Sequence, residues 1–134
     1  MIAVDTNVVL RYLLGDDDVQ AAAVCRIFES YDRILITDVV LVECLWTLSG
    51  RKYKAAKADL IAVVDALLQE PNVSFEDDEV IWLSLEAFRT TDADFADALI
   101  VHKTMKSGSI DNSITEFFTF DVNALQLPKA AKPF

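Results

Sequence analysis

Ile2-Ala3-Val4-Asp5-Thr6-Asn7-Val8 is the stretch whose reading decides the fold. Three apolar residues end on a carboxylate, as in a strand buried in a parallel sheet with an acid at its C-terminal edge. Asp5, Thr6 and Asn7 can then cap a helix from Val8 to Leu14, which Gly15 stops. The same pattern recurs down the chain. Ile34-Leu35-Ile36 is a second strand, followed by Thr37 or Asp38 as a cap. Val73-Ser74-Phe75 reads as a third strand. Phe117-Phe118-Thr119-Phe120 reads as a fourth, ending at Asp121 as the first ends at Asp5.

Between these runs the periodicity is helical. One helix spans Asp16–Asp18 to about Tyr31, with Val19, Ala22, Ala23 and Ile27 along one stripe. A second covers Val39 to Leu48, a third Ala55 to Gln69 before Pro71, a fourth Val80 to Thr90, and a fifth Asp94 to about Lys106 before Gly108. A polar loop follows from Ser107 to Glu116. Glu76 to Glu79 complement the positive end of the helix they precede and carry no chemistry. Alternating strand and helix predicts an α/β fold, its parallel sheet covered on both faces and its ligands outside the carboxyl ends of the strands.

At 134 residues the chain reads as one domain, 1–134, burying roughly two-thirds of its unfolded surface. No apolar run approaches the roughly 20 residues that span a bilayer. The N-terminus has no basic stretch ahead of its apolar residues, which argues against a signal peptide. Cys25 and Cys44 fall in helical patterns, read as small buried hydrophobes and fit a reducing cytoplasm. The net charge of −10 disfavours non-specific binding to a nucleic-acid backbone. Even so, Arg51, Lys52, Lys54 and Lys57 place four of the twelve bases within seven residues, either as a solvated helix junction or as a phosphate-contacting rim.

The acids carry the chemistry. In Asp94-Phe95-Ala96-Asp97-Ala98-Leu99-Ile100, Asp94 and Asp97 share one helix face ahead of an apolar run. Val39 to Leu48 is apolar except at Glu43 and Thr47, so its helix reads as buried and Glu43 as a buried acid in need of a partner. Asp5, Glu43, Asp97 and Asp121 all stand at edges of hydrophobic elements, which suggests one metal pocket. With one His in the chain, that all-oxygen set points to Mg²⁺ or Mn²⁺ rather than zinc. His102 reads as a packed or surface residue. Such a site typically works on phosphates, and the absence of a Gly-rich phosphate loop excludes a P-loop enzyme.

Val4-Asp5-Thr6-Asn7-Val8, Val42-Glu43, Asp94 to Ile100 and Thr119-Phe120-Asp121 together resemble a PIN-domain ribonuclease, specifically the VapC-type toxins of toxin–antitoxin pairs. The resemblance covers essentially the whole chain, in order. It implies a three-layer α/β/α sandwich on a central parallel sheet of four to five strands. It also implies Mg²⁺- or Mn²⁺-dependent endoribonuclease activity, a homodimer, and inhibition by a cognate antitoxin. The family's acidic set falls on Asp5, Glu43, Asp97 and Asp121, with Asp5 as the central ligand. Asp121 binds a second ion or holds a water. Asp94 is an extra acid or the helix N-cap, Thr119 matches the hydroxyl residue before the last acid, and Thr6 and Asn7 hold the Asp5 turn. Two other classes compete. A phospho-acceptor domain needs an adjacent acidic pair at an early strand end and a Lys after a late strand, neither of which is in place. A silent binding protein of the same fold is disfavoured by the full acid set.

Overall fold

β1 (Ile2–Ala3), β2 (Ile34–Ile36) and β3 (Val73–Phe75) form one parallel sheet in the order β1-β2-β3. Ile2 stands opposite Ile34, and Ile34 opposite Val73. Parallel neighbours require crossovers. α1 (Thr6–Leu14) and α2 (Asp18–Ser30) supply the first, α3 (Asp38–Ser49) and α4 (Lys57–Gln69) the second. The structure is a computed structural model describing residues 1–108 and 113–134, in two compact units, Met1–Asp78 and Glu79–Phe134. No helix among the described residues is long and apolar enough to cross a membrane.

Local chemistry sets the helix ends of the first unit. The Asp5 side chain accepts from the Val8 amide, 3.1 Å away, at the start of α1, and Gly15 closes that helix at φ +60°. Asp17 caps α2 and Thr37 caps α3 in the same way. Ile34 and Ile36 are fully buried, as are Val9, Leu41, Cys44 and Val64 on the surrounding helices. Burying a side chain of the size of Ile or Leu contributes about 1.5–3 kcal/mol. Tyr12 stacks on Phe28 with ring centroids 3.9 Å apart, which fastens α1 to α2.

The second unit is built from α5 (Asp78–Thr90, whose first residue lies at the boundary), α6 (Phe95–Ser107), β4 (Phe117–Phe118), a 3-10 turn at Asn123–Gln126 and β5 (Ala130–Ala131). Its core gathers Ala93, Ala98, Val101, Ala124 and Leu127, with Met105, Phe117 and Ala130 packed against them. Phe88 meets Phe95 edge-on, centroids 6.1 Å apart, across the α5–α6 connection.

Several expectations change. The parallel sheet of the first unit has three strands, and β4 pairs instead with β5 in its own two-stranded parallel ladder. The fourth strand stops at Phe118; Phe120 is exposed and leans on Phe134. α3 is not buried all round, because Val39 and Trp46 lie open on its outer face. Cys25 is exposed rather than buried, whereas Cys44 is buried as expected. Residues 109–112 of the polar loop lie outside the described residues.

Candidate functional site

In the first unit, Asp5 follows β1 by two residues and its Oδ1 caps α1. Glu43 projects from the middle of α3. The two are linked through Thr6, whose hydroxyl donates to Glu43 Oε2 at 2.6 Å, the short length of a bond to an ionised acceptor. Cys44 reports both charges: burial first, then Glu43 and Asp5, push its thiol up to about 12. Both carboxylates therefore act on one buried sulfur. The expectation of a buried Glu43 is corrected here, since the residue is exposed and its partner is a hydroxyl. Thr6, read as part of the Asp5 turn, is the residue that orients Glu43, a role that a hydroxyl beside an acid could have signalled. Asn7 is exposed on the first turn of α1.

In the second unit, Asp97 lies in the first turn of α6 and Asp121 follows β4 by three residues. Burial first, then Asp121 and Asp94, hold the Asp97 carboxyl above its usual range. All three influences disfavour its charge, and a cation between these acids would reverse them. The amide of Asp121 donates to Thr119 Oγ1 at 3.0 Å, and Asp121 Oδ1 accepts from the amides of Asn123 and Ala124 at 2.8 and 3.2 Å. Asp5 and Asp121 thus use the same device. Each follows a strand, and its Oδ1 caps the helical element that comes next. Asp94 occupies the N-cap position of α6, but its side chain makes no capping hydrogen bond. His102 is half-buried on α6, and burial lowers its pKa.

The acids fit a hard divalent cation by type, since all supply carboxylate oxygens. Among the described residues, no group of three or more His, Cys, Asp or Glu side chains stands ready to hold a metal ion. That is compatible with Mg²⁺, which commonly binds through one or two carboxylates and keeps several waters. The first unit carries Asp5 and Glu43, and the second Asp97 and Asp121.

The basic cluster occupies the loop after α3. Arg51, Lys52 and Lys54 are exposed there, Lys57 opens α4, and the Lys52 ammonium lies 5.2 Å from the centre of the Tyr53 ring. Glu76, read in the sequence only as complementing the positive end of the helix it precedes, accepts from the Asp38 amide at 2.6 Å and ties the end of β3 to the start of α3.

No curated protein matches this chain at a significant level. A scan against protein families matches the PIN domain over residues 2–130, a span that takes in Asp5, Glu43, Asp94, Asp97, Thr119 and Asp121. The match extends over nearly the whole chain and both units, and the chain belongs to the PIN domain family.

Proposed function

We propose that the protein is an Mg²⁺- or Mn²⁺-dependent endoribonuclease, the VapC-type toxin of a toxin–antitoxin pair. PIN domains are generally nucleases, and the observation that carries the reading is the family match over residues 2–130, a span in which burial first, then Asp121 and Asp94, hold the Asp97 carboxyl above its usual range. Asp5, Glu43, Asp97 and Asp121 form the ligand set of a single PIN domain over residues 1–134. The three-layer α/β/α sandwich with four to five strands belongs to the same reading. When bound, the ion supplies Lewis acidity and neutralises charge on the phosphate. The chain's own residues do the rest. Thr6 holds Glu43 in one rotamer, and the amides of Val8, Asn123 and Ala124 fix the rotation of Asp5 and Asp121. Preset carboxylates need no reorganisation when the phosphodiester arrives. Hydrolysis leaves a 5′-phosphate and a 3′-hydroxyl.

The cognate antitoxin would place an Arg or Lys among these acids and block metal and RNA together. A homodimer acting in the cytoplasm completes the reading.

Incubating total RNA with the protein in Mn²⁺ or in EDTA tests it. Cleavage should require the ion, and Asp5→Asn and Asp97→Asn should each lose about a hundredfold or more while staying folded. Parent-rate cleavage by Asp5→Asn would sink the assignment.

A further inference from the structure

We propose that the outer face of α3 is a stacking platform for single-stranded RNA, in which Trp46 takes a base and the loop after the helix holds the adjoining phosphates. The proposal deepens the nuclease reading and rests on it.

Val39, Glu43, Trp46 and Thr47 are all exposed, and their spacing puts them on one stripe of α3. Trp46 is 58% exposed, an uncommon state for the largest apolar side chain. The helix does not need it for packing, because Leu41, Cys44, Leu45 and Leu48 on the opposite face are all buried. Glu43 precedes Trp46 by three residues, a rise of about 4.5 Å along the helix.

Beyond Trp46 the helix runs into the cationic loop. Ala55 donates its amide to Leu48 O and Lys54 to Gly50 O, each at 2.8 Å, so the loop folds back on the last turn of α3. Lys54 is held there at φ 52°, a left-handed conformation that non-glycine residues adopt sparingly. Along α3 and the loop that follows it, the order is therefore carboxylate, indole, then Arg51, Lys52 and Lys54. Sequence-tolerant single-strand sites combine an aromatic face for the base with a positive track for the backbone.

A second copy of the chain is the competing occupant. Protein interfaces bury aromatic residues but exclude Lys and Glu from their centres. Here Glu43 and the basic loop bracket Trp46, so closing a protein over it would strip water from charges that gain no partner. A nucleotide supplies the phosphates those cations need. Duplex RNA keeps its bases stacked on one another and cannot offer one to Trp46.

The test is a fluorescence titration of the Trp82→Phe protein, in which Trp46 is the single remaining indole. The probe is a ten-nucleotide single-stranded oligoribonucleotide, in EDTA at low salt. The oligonucleotide should quench Trp46 saturably, and its duplex should not. Trp46→Ala, read by anisotropy of a labelled strand, should weaken binding about tenfold or more, and Trp46→Phe should keep most of the affinity. Replacing Arg51, Lys52 and Lys54 by Ala should flatten the plot of log K against log salt by about 0.7 for each phosphate that is no longer neutralised. Circular dichroism should match the parent throughout.

Absence of quenching, or unchanged RNA affinity in Trp46→Ala, overturns the platform. So does a Trp46→Ala protein that becomes a smaller oligomer yet binds RNA as before, since a second copy then covers this face. Cleavage in Mn²⁺ separates the two readings. If parent and Trp46→Ala cleave with equal KM, the platform falls while the nuclease stands. If RNA quenches Trp46 but is not cut, the nuclease reading falls and the binding face remains.

Discussion

At the scale of single residues, the two cysteines make the clearest contrast. Cys25 is exposed, whereas Cys44 is buried and its thiol is pushed up to about 12 by burial and by Glu43 and Asp5. A thiol reacts as its thiolate. Titration with a disulfide reagent at neutral pH should therefore count one fast thiol in the native protein and two in denaturant. A second fast thiol in the native state would contradict the burial of Cys44. Asp97 offers a test through pH. Its carboxyl is held above the usual aspartate range, so the folded state binds more protons than the unfolded chain in the window just above that range. Stability from this group is therefore lost as pH rises through that window. Urea titrations from pH 4 to 7 should show Asp97→Asn gaining on the parent as pH rises, and parallel curves would mean that Asp97 is not crowded. The exposure of Cys25 was not announced in the sequence, which did set Asp97 beside Asp94 and in one group with Asp121. The periodicity that placed Cys25 on a helix does not say which way the helix turns, and the crowding of Asp97 comes partly from Asp121, more than twenty residues away.

At the scale of elements, the signals that survived are those with a local cause. Ile34-Leu35-Ile36, Val73-Ser74-Phe75, the Asp5 and Thr37 caps and the stop at Gly15 were all legible, because each depends on residues within a turn of itself. β5 was not, because Ala130-Ala131 has neither branched nor aromatic side chains and becomes a strand only by pairing with Phe117-Phe118. The apolar run of α3 misled about Glu43, since Val39 and Trp46 are hydrophobic yet stand in water. Two glycines test these elements. Gly15 sits at φ +60° with open space around its Cα, so Gly15→Ala should cost about 1 kcal/mol through strain alone and Gly15→Asn less. Gly108 has an ordinary φ of −89°, but an added methyl would run into the Ile114 side chain. Gly108→Ala should destabilise by about 1–3 kcal/mol, as overpacking does. Chemical denaturation checks both, and a neutral Gly108→Ala would place Ile114 elsewhere.

At the scale of the whole molecule, the family and the order of its acids were legible from four short motifs. The small sheet of the first unit was not, because a strand of two or three residues does not reveal its neighbours. The proposed metal dependence predicts a thermodynamic signature. An ion that binds only the folded chain stabilises it by about 2.7 kcal/mol at a concentration one hundred times its Kd. Millimolar Mn²⁺ should raise the melting temperature, and Asp5→Asn and Asp97→Asn should each shrink that rise. Asn at position 5 still caps α1, so the metal-free Asp5→Asn variant should melt no lower than the parent. A melting temperature indifferent to Mn²⁺ would separate these acids from any metal.

The parallel ladder of the first unit closes at Phe75, well before Asp97 and Asp121 are reached. Chains leave the ribosome N-terminus first, at about 5–20 residues per second. Phe75 is thus added roughly two to nine seconds before Asp121. On the ribonuclease reading, a nascent chain carries no more than two of the four acids until Asp97 has been added. The acid set is incomplete on every chain still short of Asp121.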